Sequence, residues 1–219
     1  NFNLKGEQTQ GWEKPKIENP SNSEIKHIRM MGSDVIIIRD INNKLLFYNR
    51  RGVKLFEIEN FRAGSYSDIY AAPNLCNCYI TTNQEGQISM IESGGNIKLK
   101  TIHDATPGHV FIYEDFDNSG EADFIYIDRC KAFVFAKDES LKYNLDIASN
   151  IGRKASFVKN SPYGPLLLIF SSDGKEIFII NKSGRVLKEN TFASNNHADF
   201  YFSKERNKLL IISSQNSSV

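Results

Sequence analysis

Short apolar runs separated by turn residues recur along the whole chain, and residues 34–59 show the pattern most clearly. Their sequence, DVIIIRDINNKLLFYNRRGVKLFEIE, predicts three strands, at 35–39, 45–48 and 53–58. A two-residue turn at Asn42-Asn43 joins the first two strands, and a turn that ends at Gly52 joins the second and third. The pattern predicts an all-β protein built from copies of this unit.

The glycine that closes the second turn recurs at a nearly constant spacing. It appears as Gly6, Gly52, Gly95 and Gly184, and Glu139 holds the equivalent place in one copy. Successive positions are 46, 43, 44 and 45 residues apart. A period of this length that contains only strand signals is typical of β-propeller blades. Because glycine is the residue that adopts positive φ without strain, we expect Glu139 to lie in a turn of different shape.

One further strand is expected before the three strands of each copy, which makes the four strands of a propeller blade. The second strands are the most apolar, as in FIYI at 124–127 and LLLIF at 166–170, and such runs predict burial on both faces, between adjacent blades. A β-sandwich, which has strands at similar spacing, is the alternative. The predicted units are 25–59, 66–102, 109–147, 155–192 and 198–219, with first strands at 25–30, 66–71, 109–113, 155–158 and 198–202.

The two ends of the chain appear complementary. The fifth unit has only two strands before a polar tail, whereas residues 1–13 have the pattern of the end of a blade. We therefore expect a single β-propeller domain over 1–219, with about five blades, the last completed by 1–13. The alternative is a fragment of a larger propeller, which the absence of an initial methionine favours.

Composition narrows the classes of partner. The net charge of +1 gives no bulk attraction to nucleic acid or to an anionic membrane surface. No apolar run approaches the roughly 18 residues that a membrane-spanning helix needs. The cysteines are Cys76, Cys78 and Cys130, and no second pair completes a zinc site. We interpret them as buried thiols that pack as small hydrophobic residues.

The most specific local motif is DFDNSGEAD at 115–123, with the spacing D-x-D-x-S-G-x-x-D. Oxygen ligands at this spacing around a glycine turn favour a hard cation such as Ca²⁺. The motif resembles the acidic loop of FG-GAP/VCBS-type propeller repeats, which lies between the first two strands of a blade and can hold calcium. A tight turn stabilised by Asx side chains, without metal, is the alternative. The candidate ligands are Asp115, Asp117, Ser119, Glu121 and Asp123.

The repeat as a whole resembles those of WD40-like and quinoprotein-like propellers, although it lacks the Trp-Asp ending and the tryptophan docking pattern of those families. The resemblance therefore implies a fold and no function. The chain contains no GxSxG, P-loop, HExxH or GxGxxG motif, so we expect it not to be an enzyme. We interpret His27, His109 and His197, near three first strands, as isolated polar residues.

These observations predict a non-catalytic binding or scaffold module of an exported bacterial protein, located in the periplasm or at the cell surface. Its partner is expected to be a protein, bound by loops that join one blade to the next, because a rigid ring displays variable loops on its rim. The alternative is a carbohydrate-binding or hydrolytic propeller with its site at the channel mouth. The inter-blade loops are predicted at 14–24, 60–65, 103–108, 148–154 and 193–197.

Overall fold

The computed structural model describes residues 19–21, 25–30, 32–64, 66–147, 151–173, 176–191, 198–203 and 205–213. Every regular element in these ranges is a β-strand, which confirms the all-β prediction. No helix among the described residues has the length and apolar character needed to cross a membrane.

Eighteen strands are found in the described part of the chain. They are β1 (Lys26–Met30), β2 (Ser33–Arg39), β3 (Leu45–Asn49), β4 (Lys54–Ile58), β5 (Tyr70–Ala72), β6 (Cys78–Thr82), β7 (Ile88–Ile91), β8 (Ile97–Lys100), β9 (Val110–Glu114), β10 (Asp123–Asp128), β11 (Lys131–Phe135), β12 (Leu141–Asp146), β13 (Ile151–Val158), β14 (Leu166–Ser171), β15 (Glu176–Asn181), β16 (Val186–Thr191), β17 (Ala198–Ser203) and β18 (Lys208–Ser213).

The strands form four antiparallel sheets of four strands each, in sequential order, and each sheet is the blade that the repeat predicts. Blade 1 is β1–β4, blade 2 is β5–β8, blade 3 is β9–β12 and blade 4 is β13–β16. Strands β17 and β18 form a two-stranded sheet within the part of the chain that the structure describes. The described chain thus has four complete blades, whereas about five were predicted. The predicted completion of a fifth blade by 1–13 lies outside the described residues.

The chain divides into two compact units. The first contains blades 1 and 2. The second contains blades 3 and 4, the β17–β18 hairpin and the short segment Gly64–Asp68. Within the first unit, strand β1 lies beside β5, and within the second, β13 lies beside both β9 and β17. First strands of successive blades are therefore neighbours inside each unit, as the stacking of propeller blades requires.

In blades 2, 3 and 4 the second strand is the most buried of the strands whose burial is described, whereas in blade 1 the third strand, β3, is more buried than β2. Every residue of β6, β10 and β14 is buried, whereas the outer strands β4, β8 and β12 are partly exposed or exposed at every position except Ile58. In the first unit, one apolar core is shared by blades 1 and 2, and the ring of Phe47 lies 5.3 Å from the ring of Tyr79 across it. The predicted burial of second strands on both faces is confirmed in blades 2, 3 and 4, and in part in blade 1.

Two predicted element boundaries are wrong. The first strand of blade 2 was expected at 66–71 but occupies Tyr70–Ala72. The Ser67 amide instead donates to the Gly64 carbonyl at 3.2 Å and its hydroxyl contacts the His109 ring, which draws this segment into a turn. In blade 4, β13 begins at Ile151, so that part of the expected loop 148–154 is strand.

The turn between the third and fourth strands has one geometry in all four blades. Gly52, Gly95 and Gly184 have φ of 79°, 86° and 71°. Glu139 has φ of 72°, and its amide donates to Ala136 at 2.9 Å, as the Gly52 amide donates to Asn49 at 2.9 Å. The prediction of a different turn at Glu139 is wrong: neighbouring strands impose the left-handed conformation on a glutamate.

A second constraint on the turn glycine comes from the preceding blade. The residue four places after the turn position is aromatic in blades 1 and 3, as Phe56 and Tyr143. A Cβ added at Gly95 would lie 3.2 Å from the Phe56 ring, and one at Gly184 would lie 2.7 Å from the Tyr143 ring. The Tyr143 hydroxyl also donates to the Lys182 carbonyl at 3.2 Å. The glycine thus leaves room for a ring that links one blade to the next within each unit.

The shared turn geometry predicts that Glu139→Gly stabilises the protein. A non-glycine residue in the left-handed region costs about 1 kcal/mol, part of which the greater entropy of glycine in the unfolded chain offsets. We expect the free energy of unfolding to rise by about 0.5–1 kcal/mol in chemical denaturation. Glu139→Ala is the control, because it removes the carboxylate and keeps the strained φ. Equal gains from both substitutions would show that the side chain, not the backbone, is responsible.

Candidate functional site

The predicted calcium loop joins β9 to β10, the first two strands of blade 3. Its carboxylates are occupied by the loop's own backbone amides. Asp115 accepts from Ser119 and Gly120, each at 2.9 Å, and Asp123 accepts from Phe116 at 3.1 Å. Gly120, at φ of 91°, makes the sharp turn. The loop therefore holds its shape through Asx-type hydrogen bonds.

The loop brings three acids together and places a lysine on them. Oxygens of Asp115, Asp117 and Asp123 lie within 4.8 Å of one another. The Nζ of Lys142, from β12, lies 2.6 Å from Asp117 Oδ2 and 2.7 Å from Asp123 Oδ1. Burial raises the pKa of Asp123 above its ordinary value. Burial also opposes ionisation of Asp117, but hydrogen bonds from Lys142 and Ser119 outweigh it and lower its pKa.

These contacts bear on the calcium prediction. Three carboxylates in one loop have the chemistry that a hard cation requires. The Lys142 ammonium, however, already supplies a positive charge to two of them. The remaining two predicted ligands are engaged elsewhere: the Ser119 hydroxyl contacts the Glu121 carbonyl at 3.4 Å, and the Glu121 carboxylate contacts Lys137 at 2.8 Å. Calcium binding stays a prediction, and Ca²⁺ would have to displace the ammonium.

The cysteines differ from their interpretation as three buried thiols. Cys76 and Cys78 form a disulfide, with Cys76 exposed and Cys78 fully buried. Cys130, partly exposed, carries a thiol outside that bond. Asn77, which lies between Cys76 and Cys78, has φ of 51°.

Two of the three histidines singled out in the sequence have separate structural roles, and His197 lies outside the described residues. His27 is exposed and contacts Asp34 at 3.2 Å in the first unit. His109 is completely buried in the second unit, where its Nδ1 lies 2.6 Å from the Thr106 carbonyl and its Nε2 lies 3.2 Å from the Ser67 hydroxyl. Burial lowers the pKa of His109, so the neutral ring fastens the segment at 64–68 to blade 3.

A cavity of about 560 Å³ opens at the edge of blade 3 where β9 begins and β10 ends. We call this edge the loop edge; it consists of the inter-blade loop 102–109 and the turn 128–131. Val110 pairs with Ile127, so both segments emerge on the same side of the sheet. The volume is in the range of small-molecule and side-chain pockets. The cavity is lined by His103, Asp104, Ala105, Thr106, Asp128, Arg129, Cys130, Lys131 and Phe133.

The floor of the cavity is aromatic. The His103 and Phe133 rings have centroids 4.1 Å apart, and both side chains are partly exposed to the cavity. Burial lowers the pKa of His103 more than Asp128 raises it, so the imidazole is neutral at neutral pH and stacks as an uncharged ring. His103 belongs to no motif that the sequence singles out, although its position in a predicted inter-blade loop could have marked it as a candidate binding residue.

The charged side chains around the cavity differ in their burial and in their hydrogen bonds and ion pairs. The buried Asp128 carboxylate accepts from the Thr106 amide at 2.9 Å and from the Thr106 hydroxyl at 2.5 Å, which fixes the loop to the turn. Arg129 is exposed at the tip of the turn, with φ of 55°. Lys131 is exposed beside it and pairs with Asp146 at 3.1 Å. The cavity thus combines an apolar floor with a rim of mixed charge, in which Arg129 and Lys131 are positive and Asp104 and Asp128 are negative.

No family model matches the chain, and no curated protein matches its sequence. Solved structures do resemble it. A crystal structure of BBS1N in complex with ARL6DN has a TM-score of 0.61 at 12% identity, covering 86% of this chain and 61% of that one. A protein of unknown function from Bacteroides caccae has a TM-score of 0.50 at 10% identity, covering 84% and 70%. The chain therefore spans less than two thirds of the BBS1N chain's length.

The WD40 domain of SCAP from fission yeast is also similar, with a TM-score of 0.49 at 10% identity and coverage of 79% and 44%. Identities this low bear on the fold and on nothing else. Together with four sequentially ordered four-stranded blades, the likeness to BBS1N establishes that this chain has a β-propeller fold.

The contacts of Lys142 predict that this residue is structural. Lys142→Met leaves Asp123, only 1% exposed, without its cationic partner, so we expect a loss of about 2 kcal/mol in the free energy of unfolding. Lys137→Met is the matched control, because its partner Glu121 is exposed and such a pair contributes about 0.5 kcal/mol. Equal losses in the two variants would contradict the structural role of Lys142.

Comparison of Lys142→Met with the wild type also tests calcium binding. Since a cation must displace the Lys142 ammonium, Ca²⁺ should raise the melting temperature of Lys142→Met more than that of the wild type, with chelator as the reference. An equal rise in both proteins would show that the ammonium and Ca²⁺ do not compete. No rise in either would remove calcium from the loop.

Proposed function

We propose that the protein is a non-catalytic β-propeller module that binds a protein partner at the loop edge of blade 3. The single observation that carries this proposal is the cavity there, which has an aromatic floor and the exposed Arg129 on its rim. Apolar pockets that receive an anchor side chain are where binding energy concentrates in protein interfaces.

The lining favours one kind of partner segment. An aromatic or branched apolar side chain would pack on His103 and Phe133, whose rings are in contact at an interplanar angle of 41°. An acidic residue next to that anchor would meet Arg129, and an arginine–carboxylate contact of this kind adds geometric specificity. Asp128 does not repel such a segment strongly, because both its oxygens already accept hydrogen bonds from Thr106. The proposed ligand is therefore a peptide segment with an apolar anchor flanked by acids.

The same contacts favour binding over catalysis. General acid–base chemistry needs two titratable groups positioned on a substrate. In the cavity, Asp128 is buried and accepts hydrogen bonds at both oxygens, the His103 ring packs against Phe133, and Asp104 is exposed. The solved structure of BBS1N in complex with ARL6DN supports a propeller of this kind as a surface for a protein partner. Loop-borne sites on a rigid scaffold are common for such binding.

We also propose that the protein is exported, to the periplasm or the cell surface. The disulfide between Cys76 and Cys78 supports this proposal, because disulfides persist mainly in oxidising compartments. Mass analysis of alkylated protein from its native source tests the disulfide on which the proposal rests.

Selection from a displayed library of random peptides tests the binding proposal. The wild type should enrich peptides that place an acidic residue beside an aromatic or branched apolar residue. Arg129→Glu reverses the charge at this position on the rim of the cavity and should no longer enrich these peptides. The affinity of a selected peptide for this variant should fall about tenfold or more. Arg129 is exposed, so the melting temperature of this variant should remain that of the wild type.

Lys98→Glu serves as a matched control, because Lys98 is an exposed lysine of blade 2 that pairs with Glu92 away from the cavity residues. It should leave the enriched peptides unchanged. Absence of any enrichment, or equal enrichment by the wild type and Arg129→Glu, would overturn the proposed site. A large drop in the melting temperature of Arg129→Glu would instead show that the turn is structural.

A further inference from the structure

A disulfide closes the turn between the first two strands of blade 2. Cys76 and Cys78 are its two ends, with Cα atoms 5.2 Å apart, and a single residue, Asn77, lies between them. Cys76 is exposed to solvent, whereas Cys78 begins β6, pairs with Ala72 of β5 and is fully buried. One sulfur of the bond thus faces solvent-accessible surface and the other faces the blade.

The bond does little for the stability of the blade. A disulfide stabilises mainly by shortening the loop available to the unfolded chain, and the gain increases with the number of residues enclosed. Only three residues are enclosed here, which is close to the minimum. The turn is also held without the bond, because the Leu75 and Cys76 amides both donate to the Ala72 carbonyl at 3.3 Å. Reduction of the bond would therefore leave the strands in place.

We propose that Cys76 and Cys78 form a redox site that exchanges with thiols. The class of co-reactant is a low-molecular-weight thiol such as glutathione. Exposed disulfides that contribute little to stability are the ones that thiols open most readily. This proposal does not depend on the loop edge of blade 3 and goes beyond partner binding.

The exchange follows a defined order. A thiolate attacks the Cys76 sulfur, a new sulfur–sulfur bond forms between them, and the Cys76–Cys78 bond breaks. Its electron pair leaves on the Cys78 sulfur, which takes a proton from water. A second thiolate then attacks the thiol's own sulfur in the mixed disulfide and releases the Cys76 thiolate. The protein's cysteine pair is reduced by two electrons, and two thiols are oxidised to one disulfide.

The burial difference assigns the two sulfurs different roles. An attacking thiolate must approach along the sulfur–sulfur axis, and only the Cys76 end is exposed. Cys78, buried beside Cys76, is in position to attack a mixed disulfide on Cys76 and close the bond again. Cys76 is therefore the exchanging sulfur and Cys78 the resolving one.

The roles can be tested in a Cys130→Ser background, which removes the remaining thiol. With only Cys76 left, in Cys78→Ser, oxidised glutathione should form a stable mixed disulfide, seen as one added glutathione in the intact mass. With only Cys78 left, in Cys76→Ser, the same adduct should form about tenfold more slowly or not at all. With both cysteines present, reduced glutathione should open the bond and an oxidising mixture should close it.

Three results would overturn the proposal. Equal adduct formation at the two single cysteines would remove the assigned roles. Persistence of the bond in millimolar reduced glutathione, measured by alkylation of the folded protein, would show an inert structural disulfide. Two alkylatable thiols after purification in air would show that the bond does not form. A melting temperature of the reduced protein close to that of the oxidised one is expected, and a collapse on reduction would also contradict an exchange role.

Discussion

Burial of the second strand on both faces, complete in blades 2, 3 and 4 and partial in blade 1, is the constraint on which the rest of this structure depends. Strands β6, β10 and β14 have no exposed residue, so neither face of the sheet at that strand can be left to water. Burial of apolar surface is worth about 25 cal/mol per Å². A single blade cannot bury both faces of its own second strand, because it consists of one sheet. Each blade is therefore stabilised by contact with its neighbour. Blades 1 and 2 make this contact through the shared apolar core around Phe47 and Tyr79.

In each unit, the outer part of the first blade is coupled to the following blade by a smaller and more specific contact. A ring on the fourth strand, Phe56 or Tyr143, covers a turn glycine of the following blade within the same unit. Glycine at this place therefore answers two demands, a positive φ and room for the ring. In the sequence, the residue four places after Gly95 is Leu99 rather than an aromatic, and the next turn position is Glu139 rather than glycine. Glu139 therefore meets the first requirement, the positive φ, but its side chain does not leave the room for a ring that a glycine leaves.

The repeat was predictable because strand period, turn glycines and apolar runs are local properties of the chain. The number of strands per blade and the burial of the second strands followed from them. The strand at Tyr70–Ala72 was displaced from its predicted position because Ser67 bonds to His109, a partner 42 residues away. The turn at Glu139 was misjudged because tertiary pairing overrode the preference of one residue. Contacts that join distant parts of the chain leave no periodic signal.

In the candidate sites, too, local motifs were predictable from the sequence and contacts between distant residues were not. The acidic loop was recognised from spacing alone, and its three aspartates do converge. Lys142, which neutralises two of them, comes from a strand on the far side of the blade and no motif points to it. The cavity at the loop edge required the pairing of β9 with β10, which places His103 and Arg129 together although they are 26 residues apart. The positions of the loops could be predicted from the sequence. Which loop side chains line one cavity depends on the register of the sheet.

Hydrogen exchange of backbone amides, followed by mass spectrometry, tests the central role of the second strands most directly. Amides in β6, β10 and β14 should exchange most slowly, near the rate set by global unfolding, because they open only when neighbouring blades separate. Amides in the outer strands β4, β8 and β12 should exchange faster through local opening. Slowest exchange in those outer strands, or one uniform rate across the blades, would contradict the claim that burial between blades holds the protein together.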